Sequence, residues 1–274
     1  MQLTERPPFL FREGEVPVLL SLPHVGTYIP PGIAARMTDD ARQVPDTDWH
    51  LEKLYDFSDD LGVSVLMATH SRYVIDLNRP PDGASLYPGR SVTGLCPVET
   101  FDDTPIYQSG ETPDDEEIVM RRAAIWDPYH NKLACELERI KSKHGVVGLW
   151  DGHSIRSVLP KFFEGRLPDL NLGTAEGRSC SPVLAERVLT TAKAAEQDGF
   201  TAVLNGRFTG GYITRRYGDP SQNVHAMQLE MTQSSYMHEE FPFEYQAQAA
   251  AVIQPYVRRM LEDMIDYCRS QSRT

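Results

Sequence analysis

The sequence predicts an α/β protein, and three observations carry that prediction. Short apolar runs bounded by Pro, Gly and polar turn residues alternate with longer stretches of helical period. The two kinds of segment follow one another along the whole chain, as parallel crossover connections require. At 274 residues the chain is long enough to bury a sizeable core, and no composition break marks a linker, so one domain spanning 1–274 is expected.

The elements are justified in order. "VPVLLSL" (16–22) is short, continuous and apolar, which predicts a buried strand. "DTDWHLEKLYDFSDDLG" (46–62) follows a helical period through Trp49, Leu54, Phe57 and Leu61, with an Asp/Thr start and a Gly stop. "VSVLMA" and "YVIDLN" read as further strands, and a polar segment rich in Pro, Gly, Asp and Thr follows from about 80 to 113. A connection that long is usually a functional loop or a lid. From Pro113 to Gly145 the pattern is helical again, with acids at the start, lysines at the end and Pro128 expected to kink or split it. "VVGLW" (146–150) predicts another buried strand, and residues 181–199 a helix with a Ser cap, an early Pro and a Gly stop. "TAVLN" and "AMQLEM" supply two more strands, and the last thirty residues an amphipathic helix interrupted near Pro255.

Composition excludes several function classes. A net charge of -12 repels phosphate backbones and anionic lipid, so neither nucleic acid nor a membrane is an expected partner. The opening "MQLTERPPFLF" lacks a basic leader, and no apolar run approaches spanning length, so a cytoplasmic protein is expected. Cys96, Cys135, Cys180 and Cys268 are scattered without a CxxC pair, which argues against a thiolate metal site or a disulfide framework. Any metal must then be held by His and carboxylate. There is no GxGxxG or GK[ST] run, and Ser154 is not in a GxSxG elbow.

In an open α/β sheet, ligands sit beyond the carboxyl ends of the strands. That rule gathers His24 after "VPVLLSL", Asp151 and His153 after "VVGLW", and Asn78 with Arg79 after "VIDL". Two imidazoles and a carboxylate with an open fourth position form the ligand set of a hydrolytic zinc site. Asp48 is the preferred carboxylate, with Asp46 as its rival and simple helix capping as the alternative for both. Glu230 lies among strand-like apolar residues, where a carboxylate is unfavourable unless paired or working, so it is the candidate general base. Arg72, Arg79, Arg215 and Arg216 offer planar forks suited to carboxylates. "FTGGYITRRYG" (208–218) reads either as a loop closing over a substrate or as an ordinary hairpin. The remaining histidines receive structural or solvent roles, with His50 and His225 the nearest rivals.

These motifs resemble the N-formylglutamate amidohydrolases over most of the chain, through "PHVGTYIP", "DTDWHLEKLYDF", "SRYVIDLNRP", "LWDGHSIRS", "LNGRFTGGYITRRYG" and "MQLEM". The resemblance extends to the zinc carboxypeptidase and aspartoacylase group. It implies a three-layer α/β/α sandwich around a mixed, mostly parallel sheet of the phosphorylase/hydrolase type. It implies His24 and His153 as zinc ligands, Asn78 and Arg79 as a substrate-carboxylate clamp and Glu230 as the catalytic acid-base. Two departures stand out: Thr27 occupies the position of the relatives' Glu ligand, and Arg72 sits one residue closer to "DLNR" than their oxyanion-stabilising Arg.

The expected activity is zinc-assisted hydrolysis of N-formylglutamate, with Arg215 or Arg216 taking the second carboxylate of a small anionic substrate. The rivals are a related zinc deacylase or carboxypeptidase for another N-acyl amino acid, and a non-catalytic carboxylate-binding protein. Oligomerisation is left open by the sequence.

Overall fold

The computed structural model describes residue 3, residues 5–83 and residues 93–272. Its strands are β1 (Phe9–Arg12), β2 (Val18–Leu22), β3 (Ser64–Ala68), β4 (Val147–Ile155), β5 (Leu170–Gly173), β6 (Ala202–Leu204) and β7 (Val224–Thr232). Its α-helices are α1 (Pro31–Ala34), α2 (Leu51–Leu54), α3 (Asp115–Arg121), α4 (Asp127–His144), α5 (Pro182–Ala194), α6 (Tyr212–Tyr217) and α7 (Ala247–Gln271). The strands form a single seven-stranded sheet in the order β1-β3-β2-β4-β7-β5-β6. The centre β3-β2-β4-β7 is parallel, while β1 pairs antiparallel with β3 and β5 antiparallel with β7. No helix among the described residues is long and apolar enough to cross a membrane.

Strand alternation divides the core in two. Leu20, Leu22, Trp150, Met227 and Leu229 pack on one face against Val188 of α5 and Met260 of α7. Leu19, Leu149 and Ala226 pack on the other against Tyr129, Leu133 and Ile140 of α4. Helices therefore cover both faces, giving the expected mixed α/β architecture in three layers.

The second face changes character along its length. Apolar at Leu149 and Ala226, it becomes polar at Asp151 and Gln228, then at His153 and Glu230. Parallel register pairs Asp151 with Gln228 and His153 with Glu230, so four polar side chains stand together at the carboxyl end of the sheet.

Several elements differ from the sequence reading. The predicted helix over 46–62 is only α2 followed by the 3-10 turn Asp56–Ser58, because His50 takes a left-handed conformation (φ 63) ahead of α2. "YVIDLN" is buried but is not a strand. Side chains hold carbonyls in and just after it instead: Arg121 donates to Val74 O (2.9 Å), His130 Nε2 to Leu77 O (2.8 Å) and Trp126 Nε1 to Arg79 O (3.1 Å). The predicted break at Pro128 is a π-helical turn, Arg122–Trp126, between α3 and α4. Pro128 follows in the first turn of α4, directly after that π-helical turn. "FTGGYITRRYG" contains α6 and is no hairpin, and α7 runs through Pro255 without interruption. The expected strand "VVGLW" extends to Ile155 and takes His153 inside it. Short strands β1 and β5 escaped the reading, β1 half-buried and β5 only four residues long. Of the long polar segment over 80–113, residues 84–92 lie outside the described residues.

Candidate active site

His24 leaves the end of β2 and is braced by the backbone behind it. A Cβ on Gly26 would lie 2.3 Å from His70 O, so only glycine lets this turn pack on the exit of β3. Asp48 reaches the same place by a different route, since its backbone N–H donates to His24 O (3.0 Å). His153 arrives from β4, with its ring centroid 4.9 Å from that of His24. One potential ligand atom from each of His24, Asp48 and His153 lies within 4.8 Å of the others, and all three residues are buried.

Each imidazole is backed by a second carboxylate. His24 Nε2 is 2.7 Å from Asp76 Oδ1, leaving Nδ1 3.7 Å from Asp48 Oδ2. His153 Nε2 is 3.2 Å from Asp151 Oδ1, while Nδ1 is 3.1 Å from the same Asp48 oxygen. Both Nδ1 atoms thus converge on one carboxylate, while His24 Nε2 bonds Asp76 and His153 Nε2 lies between Asp151 Oδ1 and Asn78 Nδ2, with no hydrogen bond to that Asp151 oxygen. A proton on Nε2 leaves the lone pair on Nδ1, which is the tautomer a metal needs. The donor set fits a divalent cation on this ground, with His24, Asp48 and His153 as the residues to hold it.

The electrostatics follow from burial and pairing. Burial, then Arg72, lowers the pKa of His24, favouring its neutral form. Burial also acts to lower His153, but Asp151 and Asp48 outweigh it and hold that ring well above the usual imidazole range. Burial would raise Asp76, yet Arg72, Arg79 and His24 keep it well below the usual carboxylate range. Burial pushes Glu230 up to about 8, against the lowering effect of His153. Gln228 fixes the Glu230 carboxylate by donating from Nε2 (3.0 Å) and in turn accepts the backbone N–H of Gly211 (2.7 Å).

A cavity opens beside this cluster, and its walls place the other residues. Glu230, Arg72, Asn78 and Arg79 line it with the three candidate ligands. Arg72 donates to Asp76 (2.7 Å) and lies over the Phe101 ring, 4.8 Å from its centroid. Asn78 accepts the Ile213 N–H at Oδ1 (2.8 Å) and brings Nδ2 to 3.1 Å from His153 Nε2. Arg79 is braced on Thr93, donating from Nε to its carbonyl (3.0 Å) and from Nη2 to its hydroxyl (2.9 Å).

Arg215 and Arg216 are not brought to this cavity. Because residues 212–217 coil into α6, Arg215 folds back to donate to Gly210 O (2.8 Å) and Thr209 Oγ1 (2.8 Å), and Arg216 lies beside Tyr217. Asp46 is also elsewhere: it accepts the Tyr73 hydroxyl (2.5 Å) and the Phe101 N–H (2.8 Å). Neither Asp caps α2, whose N-cap position is His50. His50 bonds Phe243 O and His225 accepts the Ser181 N–H, both structural contacts.

Sequence reasoning missed Asp76 beside His24, Gln228 beside Glu230 and Arg207 on the cavity wall, and saw Asp151 without its place next to His153. Asp151 and His153 share a face by strand period, as do Gln228 and Glu230, so those two pairs carried a usable signal. Asp76 and Arg207 lie outside regular structure and offered none.

Fold and site together define a class: an α/β protein with a buried His/Asp/His cluster at the carboxyl edge of its sheet, beside a buried glutamate. Within that class the chain belongs to the N-formylglutamate amidohydrolase family, whose model matches residues 16–237. It is 49% identical over 261 residues to the N-formylglutamate deformylase of Pseudomonas aeruginosa, covering 95% of this chain and 97% of that one. It is 47% identical to the N-formylglutamate deformylase of Pseudomonas putida over 255 residues, covering 93% and 94%. The crystal structure of N-formylglutamate amidohydrolase from Ralstonia eutropha JMP134 shares the fold, with a TM-score of 0.82 at 24% identity, covering 97% of this chain and all of that one.

Proposed function

We propose that this chain hydrolyses N-formyl-L-glutamate to formate and L-glutamate with the help of a divalent cation, zinc in the first instance, as a cytoplasmic step of histidine degradation. Two relatives named for that reaction align along nearly their whole length, which supports the substrate. The observation that carries the chemistry is the pair of imidazoles, each with a carboxylate at Nε2 and each turning Nδ1 toward Asp48.

When bound by His24, Asp48 and His153, zinc supplies Lewis acidity toward a carbonyl oxygen and toward water. Glu230 takes the proton of the attacking water and hands it to the departing amide nitrogen. Burial raises the Glu230 carboxyl above the usual carboxylate range, which favours its holding that proton between the two events. Gln228 keeps the carboxylate in place, and Arg72 faces the charge that develops on the carbonyl oxygen. Asn78 and Arg79 fix one substrate carboxylate. Asn78 Nδ2 stands 3.1 Å from His153 Nε2 on the cavity wall, within reach of a substrate oxygen beside that ring. A protein that only bound carboxylates would have no use for Glu230 buried against His153.

The test is formate release after mild chelation and again after zinc is restored, with N-formylglutamate compared to its acetyl and succinyl analogues and to N-formylaspartate. We expect activity to vanish and return, with N-formylglutamate preferred. Full turnover in chelator removes the metal from the mechanism, and preference for another acyl group replaces the substrate.

A further inference from the structure

Arg207 is a third guanidinium on the wall of the same cavity, in a chain whose net charge is -12. It lies in the loop between β6 and α6, whereas Arg79 follows β3. In the sheet order β2, β4, β7 and β5 separate those two strands, and β2, β4 and β7 lead to His24, His153 and Glu230. Arg79 and Arg207 therefore enter from opposite flanks of the reacting centre.

Arg207 is half-buried beside aromatic side chains. Its Nε donates to Phe162 O (2.5 Å), and its guanidinium lies 5.2 Å from the centroid of the Phe208 ring. Phe101, Ile155, Phe162 and Phe208 belong to a small apolar cluster and also line the cavity. An apolar wall ending in a guanidinium matches a side chain with a methylene stem and a terminal carboxylate. Partial burial of the cation strengthens such a pair relative to open water and leaves a neutral end group without that gain.

We infer that Arg207 is a specificity-determining residue that binds the side-chain carboxylate of the substrate, while Asn78 and Arg79 hold the other carboxylate. This rests on the deformylase reading above and adds to it the residue that selects a dicarboxylate. It also accounts for a second cationic contact now that Arg215 and Arg216 lie outside the cavity.

The test compares formate release from N-formyl-L-glutamate and from N-formyl-L-norvaline, a neutral analogue of similar length, in the wild type, Arg207→Ala and Arg207→Gln. We expect kcat/KM for the glutamate compound to fall by about 100-fold or more, and for the norvaline compound by less than about threefold. Equal losses on both, or an unchanged ratio, overturn the assignment. Arg207→Gln keeps part of the stem that packs on Phe208 and decides the matter if the alanine variant does not fold. Binding of glutarate against butyrate, measured by calorimetry, reads the same preference without turnover and should lose its glutarate advantage in either variant. Wild type that releases formate equally from both compounds sinks this inference and spares the deformylase reading. Wild type that releases none from either sinks that reading, and the calorimetric preference then decides Arg207 by itself.

Discussion

Asp46 and Asp48 lie two positions apart with the same chemistry, and packing gives them different duties. Asp48 stands between two Nδ1 atoms, whereas one oxygen of Asp46 accepts from Tyr73 and Phe101. Asp48→Asn should lower zinc stoichiometry measured by mass spectrometry. Asp46→Asn should leave it intact and reduce thermal stability, because it weakens a buried contact that anchors Phe101. Beside them, Glu230→Gln keeps the bond from Gln228 as an acceptor but loses the proton-accepting oxygen. Turnover should fall by two to four decades, on the scale of about 10²- to 10⁴-fold for a lost acid-base, with metal content unchanged. Full activity in that variant removes Glu230 from the proposed chemistry. At this scale the sequence exposed Glu230 through the oddity of an acid in an apolar strand. It left the Asp pair open, since both also fit a helix start that the fold does not use.

Among the elements, the helical stretch from α3 to α4 shapes the segment that carries Asn78 and Arg79 by holding the carbonyls of Val74, Leu77 and Arg79. His130 contributes to this as a neutral ring: Nε2 donates to Leu77 O and Nδ1 accepts the Tyr217 hydroxyl. Burial pushes its pKa down to about 4, with the Leu77 carbonyl acting weakly the other way. The unfolded chain titrates near 6.5, so between pH 6.5 and 4 it binds more protons than the folded one. Stability contributed by neutral His130 is full above that window and is lost as pH falls through it, by about 3 kcal/mol in all. Denaturant unfolding across the window should show this slope, and His130→Asn should flatten it. A second contact ties the start of α6 to Asn78: a Cβ on Gly211 would sit 2.2 Å from Asn78 Nδ2. Gly211→Ala should displace that amide and lower kcat/KM by about 100-fold, as a misplacement of roughly 1 Å does, while the fold survives because φ there is ordinary. Wild-type kinetics in that variant would mean the Asn78 amide does not position the substrate.

For the whole molecule, the carboxyl edge of the sheet and the segments beyond it concentrate His24, Asp48, Asp76, Asp151, His153 and Glu230, all buried, in one place. So many buried acids repel one another; Arg72 offsets part of that cost at Asp76 and Asp48, and a divalent cation held by His24, Asp48 and His153 would offset more. Adding zinc to the chelated protein at about a thousand times its Kd should stabilise the fold by about 4 kcal/mol, seen as a rise in Tm. An unchanged Tm over that range would mean that no ion binds the folded state at this cluster.

What the amino-acid order determined by itself was local: strand and helix periods, the alternation that makes an α/β sheet, and the imidazoles at 24 and 153. Strand period and hydrophobicity are properties of a few neighbouring residues, so they can be read along the chain. Tertiary structure decided the rest. Asp76 became a partner of His24, separated from it by 52 positions, and Arg207 rather than Arg215 reached the cavity. It turned "YVIDLN" away from a strand, because helix side chains satisfied its carbonyls. Each of these outcomes depends on which distant groups meet once the sheet closes, and hydrogen bonds between remote positions leave no period in a sequence.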